Sequence, residues 1–320
     1  MEEVLKRPGE LFDAEKKEFE LAEAKFLKAF KQLKPLATLE SLSTPPVHRA
    51  AYSDRMAWIM AHMAKLAYIK FEESDLEVER LEYSLQSGWF NLINSFDKNG
   101  TQAFLAKNDE FAVLSFRGTQ PDKWEDIRTD IRILKLKTID GKVHAGFKLA
   151  FDDIKDGIIA ELRKHLGEMP LYITGHSLGA ALATVAAQEL DKEFNDQIAA
   201  CYTFGSPRVG DGRYEKAIKI PFYRIVNATD IVTLIPFLLG SFVHVGDSRY
   251  LSRRKINDVY ILYRGIPFFT RLSESIIETL LAMMRLSNPL GPWIQAHNMD
   301  IYIDKLERYA RSRNTVVQKQ

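Results

Sequence analysis

The run Leu171-Tyr172-Ile173-Thr174-Gly175-His176-Ser177-Leu178-Gly179-Ala180 constrains this chain more than any other segment. Apolar, β-prone residues lead straight into Gly-x-Ser-x-Gly, and small helix-forming residues follow through Ala186-Ala187. The pattern predicts a strand, a very sharp turn and a helix, with Ser177 at the apex. Side chains at Gly175 or Gly179 would bring the packed strand and helix into collision, so the turn needs glycine on both sides. This geometry pushes the Ser177 hydroxyl into the open. It also aims the backbone N–H of Leu178, at the helix N-terminus, toward any oxyanion formed there. A bare Gly-x-Ser-x-Gly also fits a plain loop; the strand before it and the Ala-rich helix after it favour a nucleophile turn.

The surrounding pattern alternates. Residues 89–96, 101–106 and 111–116 read as a hairpin-like set of strands, with turns at Asp97-Lys98-Asn99-Gly100 and Lys107-Asn108-Asp109. A helix over residues 53–68 is capped by Ser53 or Asp54, with Trp58, Ile59, Met63 and Leu66 as its core face. Further helices are expected over residues 147–166, 273–286 and 299–311, and strands at 199–204, 222–226, 242–245 and 259–263. Strands interleaved with helices imply an α/β domain over residues 47–320, with a central mixed, mostly parallel sheet flanked by helices. Before it, Phe12, Phe19, Phe26, Phe30 and Leu33 mark an apolar stripe among charges, and Pro35 with residues 41–46 reads as a linker. Residues 1–46 are therefore expected to form an N-terminal helical arm and linker.

A serine hydroxyl attacks efficiently only when a base removes its proton, and that base needs a third group to orient it. On a strand–turn–helix scaffold the expected chain order is Ser, then Asp or Glu, then His. Asp230 lies just beyond the strand pattern Phe222-Tyr223-Arg224-Ile225-Val226, where a carboxylate shares a rim with the serine turn. Asp211, in a Gly-rich loop, and Asp247 are its rivals. For the base, His297 sits in a loop before the final helix, whereas His244 lies inside a strand pattern and reads as structural. His176 points the wrong way round the turn to act as base and reads as packing. A second oxyanion donor is expected after the strand at 111–116, in Arg117-Gly118-Thr119-Gln120, where Thr119 offers both N–H and hydroxyl.

The set Phe116-Arg117-Gly118-Thr119, Val143-His144-Ala145-Gly146-Phe147, Gly175-His176-Ser177-Leu178-Gly179, Tyr202-Thr203-Phe204-Gly205-Ser206-Pro207-Arg208 and Arg224-Ile225-Val226-Asn227-Ala228-Thr229-Asp230-Ile231-Val232 resembles the class 3 lipase family. The resemblance runs from about Phe111 to Tyr302 with the motifs in order. It implies an α/β-hydrolase fold, a Ser177–Asp230–His297 triad, Thr119 and Leu178 as oxyanion donors, and a structural His244. It also implies a lid after the first oxyanion loop, where Trp124 and Ile127 share one helical face. Phe237 and Leu238, flanked by Pro236 and Gly240, are candidate walls of an acyl pocket. Two departures stand out: Thr233 follows Asp230-Ile231-Val232 where the family often has Pro, and the arm before Val47 has no counterpart.

The expected reaction is hydrolysis of acylglycerol-type esters through an acyl-enzyme, with no metal or organic cofactor. The expected partner is a lipid-ester substrate, presented at a lipid–water interface. Phospholipase A1 or short-chain and feruloyl-type esterase activity uses the same triad, and a catalytically silent lipid-binding protein is the remote alternative. A net charge of +1 without a basic, aromatic-interleaved stripe argues against nucleic-acid binding. No stretch is long and uncharged enough to form a transmembrane anchor. Cys201 is the single cysteine, so no internal disulfide forms. Met1-Glu2-Glu3-Val4 does not open a secretory signal, so the cytoplasm is the default expectation, with signal-independent export left open.

Overall fold

Ser53 starts the first helix, α1 (Asp54–Leu66), by accepting a hydrogen bond from the Met56 N–H at 3.2 Å, which satisfies a first-turn donor. Trp58, Ile59, Met63 and Leu66 on its inner face are all buried, as their spacing predicts. His62 is buried too, edge-on to Trp58 with ring centroids 5.0 Å apart. The computed structural model describes residues 51–118, 135–194, 196–235, 242–284 and 291–317. The N-terminal arm and linker expected at residues 1–46 lie outside these.

The main sheet follows the order β1-β2-β3-β6-β7-β9-β11-β12. Its strands are β1 (Asn91–Lys98), β2 (Thr101–Lys107), β3 (Ala112–Phe116), β6 (Leu171–His176), β7 (Ile198–Phe204), β9 (Phe222–Asn227), β11 (Asp247–Ile256) and β12 (Val259–Arg264). β3, β6, β7, β9 and β11 run parallel. The β1–β2–β3 meander and the β11–β12 hairpin add antiparallel edges. A small second sheet joins β4 (Lys135–Thr138), β5 (Gly141–His144), β8 (Gly210–Asp211) and β10 (Phe242–Val243). The helices after α1 are α2 (Asp75–Gln86), α3 (Ala145–His165), α4 (Leu178–Phe194), α5 (Gly212–Ala217), α6 (Phe268–Met284), α7 (Gly291–Gln295) and α8 (Met299–Val317).

β6 and β7 are buried along their whole length, which is why Leu171-Tyr172-Ile173 and residues 198–202 are apolar without alternation. One face of the sheet packs on α1, α2 and α8, through residues such as Trp58, Leu81, Leu85, Tyr302 and Leu306. The other packs on α3 and α4, through Phe151, Ile154, Ile158, Leu182, Val185 and Leu190. This is the three-layer architecture expected from the sequence. No described helix is long and apolar enough to cross a membrane.

Three differences from expectation have local causes. α2 buries only Leu81, Ser84 and Leu85, so its apolar period is faint. β11 hides behind Arg253-Arg254-Lys255, because only residues 249–252 of that strand are buried. The strand expected at 242–245 shortens to β10 and joins the small sheet. Gly246, at φ 78° and pressed against Phe222, turns the chain into β11.

Candidate active site

Parallel strands end on one rim, and ligands bind in open α/β sheets outside those carboxyl ends. Here β3, β6, β7 and β9 deliver Gly118, Ser177, Gly205 and Asp230 to the same rim. Ser177 joins β6 to α4 at φ 59°, a left-handed conformation that is strained for a side chain of its kind. The turn is held because the Ser177 N–H donates to the Phe204 carbonyl at 3.0 Å and the Ser177 carbonyl accepts from the Ala180 N–H at 3.0 Å. A Cβ on Gly175 would overlap the Gly179 carbonyl, and one on Gly179 would overlap the Phe116 carbonyl. Both glycines are therefore required by strand–helix contact, as the motif implies. Ser177 itself is only 2% exposed, not open as the turn alone suggests. The backbone of Gly118 lies against it, so that a Cβ there would stand 3.1 Å from the Ser177 Cβ.

Asp230 follows β9 in a turn in which its N–H donates to the Asn227 carbonyl at 2.9 Å. Its carboxylate is fully buried. It accepts from His297 Nδ1 at 2.9 and 3.0 Å, from the Tyr302 hydroxyl at 2.6 Å and from the Val232 N–H at 2.9 Å. Burial pushes this carboxyl up, but His297 beside it and the hydrogen bonds from His297 and Tyr302 outweigh burial and hold it below the usual range. Asp230 is thus anionic and held in place by three donor groups. Arg271 of α6 secures the same turn, donating to the Asp230 carbonyl at 3.2 Å and to Thr233 Oγ1 at 2.7 Å.

His297 follows α7. Its ring stacks on His176 at 4.3 Å between centroids, and its carbonyl lies 2.8 Å from His176 Nε2. Burial, then His297 nearby, pushes His176 down to about 3, so it is neutral. A neutral ring facing a carbonyl must carry its proton on Nε2, which leaves Nδ1 to accept from the Tyr68 hydroxyl at 2.8 Å. His176 is therefore more than packing: it fixes both ring and backbone of His297. Asn227 holds the same loop, with Nδ2 donating to the Ala296 carbonyl at 2.6 Å and Oδ1 accepting from buried Lys305 at 2.6 Å. Gly205, at φ 56°, leaves room for both groups: a Cβ there would lie 2.7 Å from Asp230 Oδ2 and 2.8 Å from His297 Nδ1.

The structure thus brings Asp230 against His297, next to the backbone that holds Ser177. His244 is elsewhere, with Nε2 2.8 Å from the Thr233 carbonyl. Burial, with Arg224 and Arg208 nearby, pushes it well below its ordinary value. Asp211 caps α5 by accepting from the Arg213 and Tyr214 N–H groups, and Asp247 pairs with Arg249 at 2.6 Å. Leu178 opens α4 directly after Ser177. Thr119, Trp124, Ile127, Phe237 and Leu238 lie outside the described residues. Arg117, just before Thr119, is buried and bonded to the Ala67 carbonyl at 2.5 Å and to Glu72 at 2.8 Å, which ties the start of that loop to the segment after α1. Tyr68, Gly205, Tyr302 and Lys305 were not singled out as site residues from the sequence. Only Gly205 had a signal there, as part of a motif.

Residues 113–240 match the family model described as Lipase (class 3). A lipase of Rhizomucor miehei is 29% identical over 164 residues, 48% of this chain and 45% of that protein. A secreted mono- and diacylglycerol lipase of Malassezia restricta is 37% identical over 107 residues, 31% of this chain and 36% of that one. The chain thus spans under half the length of either relative. The crystal structure of a lipase from Rhizopus microsporus var. chinensis superposes with a TM-score of 0.60 at 22% identity, covering 72% of this chain and 86% of that one. The fold is that of the α/β-hydrolases, and residues 113–240 are similar to the class 3 lipases.

Proposed function

We propose that this chain is a serine carboxylic ester hydrolase acting on acylglycerol-type esters. Ser177 is the nucleophile, His297 the general base and Asp230 the group that orients it. The observation that carries this reading is the buried Asp230–His297 pair beside a strained serine turn. Ser177 Oγ attacks the ester carbonyl as His297 Nε2 takes its proton. The negative oxygen of the tetrahedral intermediate is met by the Leu178 N–H at the N-terminus of α4, a donor worth about 3 kcal/mol in such sites. His297 then returns the proton to the departing alcohol and leaves an acyl-Ser177. Water, deprotonated by the same ring, releases the acid and regenerates Ser177. Anionic Asp230 holds the Nδ1 proton and stabilises the imidazolium as it forms. Thr119 is proposed as the second oxyanion donor, since Gly118 before it already touches Ser177.

The acylglycerol class is supported by what the relatives are named for. Ser177→Ala tests the chemistry: hydrolysis of p-nitrophenyl esters and labelling by a fluorophosphonate should both vanish. A variant that keeps turning over would overturn the assignment. Parallel assays on emulsified triolein, phosphatidylcholine and an ester series from acetate to oleate test the substrate class. Phosphatidylcholine turnover without triolein turnover would replace it with phospholipase A1.

A further inference from the structure

α6 sits on the protein with its polarity reversed. A surface helix ordinarily turns its apolar stripe to the core and its charges to water. Between residues 268 and 277 the charged side chains of α6 point inward instead. Glu274, 4% exposed, accepts from the Tyr250 hydroxyl at 2.6 Å, from the Ser252 hydroxyl and from the Arg253 N–H at 3.0 Å. Arg271 donates to Thr233 and to the Asp230 carbonyl. The outward side is apolar: Phe268 and Phe269 are 70% and 83% exposed, and Leu272, Ile276 and Ile277 are 45%, 51% and 52% exposed. At 3.6 residues per turn these side chains share one half of the helix circumference. A contiguous exposed apolar patch of this kind marks an interaction surface.

Charge beside the patch selects the occupant. The β11–β12 hairpin carries Arg249, Arg253, Arg254, Lys255 and Arg264 against Asp247 and Asp258, a surplus of three cations although the whole chain is only +1. Arg254 lines the same depression as Phe269, Leu272 and Ile276. The one carboxylate among residues 268–277, Glu274, is turned away from it. Apolar side chains with Arg254 at their edge match the boundary zone of a bilayer with anionic headgroups, where the rings enter the acyl region and the guanidinium stays at the phosphates. A second copy of the chain would instead bring the same cations face to face across a two-fold axis. We propose that the outward face of α6, with the β11–β12 hairpin, docks this protein on the surface of an anionic phospholipid bilayer. The proposal rests on and deepens the hydrolase reading, because Arg271 ties this helix to the backbone of Asp230 and docking would bring the catalytic rim to the lipid.

Vesicle co-sedimentation of the full chain tests it, with phosphatidylcholine alone and with equal parts phosphatidylcholine and phosphatidylserine. The parent should prefer the anionic vesicles and lose that preference as salt is raised. Arg254→Ala should weaken binding to the anionic vesicles about fivefold, and the double variant F268D/F269D about tenfold or more. Both should hydrolyse soluble p-nitrophenyl butyrate at the parental rate, which shows that they are folded. Ser177→Ala should sediment like the parent while losing hydrolysis, so a failure of docking and a failure of the chemistry read out separately. Three results would overturn the proposal: parental binding by F268D/F269D, no preference for anionic vesicles, or a concentration-dependent dimer in the ultracentrifuge that F268D/F269D abolishes.

Discussion

Gly205→Ala isolates the close approach of backbone to the Asp230–His297 pair. The new Cβ would stand 2.7 Å from Asp230 Oδ2 and 2.8 Å from both Nδ1 and Cε1 of His297, where ordinary contact begins at 3.4 Å. Neither neighbour has room to yield. Asp230 is held by Val232 and Tyr302, and His297 is stacked on His176. The pair must separate or shift by about 0.6 Å, and misplacements of this order lower turnover roughly 10- to 100-fold. Alanine at φ 56° also carries backbone strain of about 1–2 kcal/mol, which lowers Tm by several degrees in a protein of this size. Gly167→Ala separates the two effects: φ is 55° there, and nothing lies within 4 Å of the new Cβ. Steady-state hydrolysis of p-nitrophenyl butyrate and calorimetric melts on both variants provide the readout. Gly167→Ala should lose only the Tm that the shared strain costs, Gly205→Ala should lose more, and only Gly205→Ala should lose kcat. If Gly205→Ala turns over like Gly167→Ala, the backbone does not pin the pair and the reasoning fails.

Tyr302→Phe removes a donor from Asp230 and leaves the buried Asn227 N–H without its 3.0 Å acceptor. Stability should fall by about 2–4 kcal/mol, read from urea unfolding; a parental midpoint would show that this hydroxyl is dispensable. Lys305 is 4% exposed, and burial pushes its amine down to about 7 from an ordinary 10.5. Between those values the unfolded chain holds the proton that the folded one has released, so stability rises with pH across this window. The difference in stability between parent and Lys305→Met should therefore climb from pH 7 to 10, by at most about 1.4 kcal/mol per pH unit. A flat difference would mean that the buried amine stays charged.

Legibility in the sequence followed the range of the forces involved. The strand–turn–helix around Ser177 is local, because glycines at 175 and 179 answer collisions within a few residues, and a sequence shows this directly. The parts that bind the site across the sheet were not legible. Tyr302 and Lys305 looked like ordinary members of an amphipathic helix, since nothing near them in the chain says that Asp230 and Asn227 will meet them. His176 carried a local reading, as packing, but its bonds to Tyr68 and to the His297 carbonyl span 108 and 121 residues. β11 was concealed because its exposed half is charged, and α6 was misleading in the opposite sense: Phe268, Phe269, Leu272, Ile276 and Ile277 are exposed while Glu274 is buried.

The dependence of the Asp230–His297 pair on α8 sets a time order on function. α8 lies against α1 across 235 residues, as in the Lys65–Asp300 pair, and it supplies the Tyr302 hydroxyl to Asp230. A chain emerging from the ribosome can complete the Ser177 turn well before α8 exists, because β6 and α4 are already flanked by β3 and β7. Closing contacts of such long sequence separation form slowly and late. During synthesis the Ser177 turn therefore precedes the Asp230–His297 pair that the proposed chemistry needs. The pair gains its Tyr302 hydrogen bond only when α8 docks.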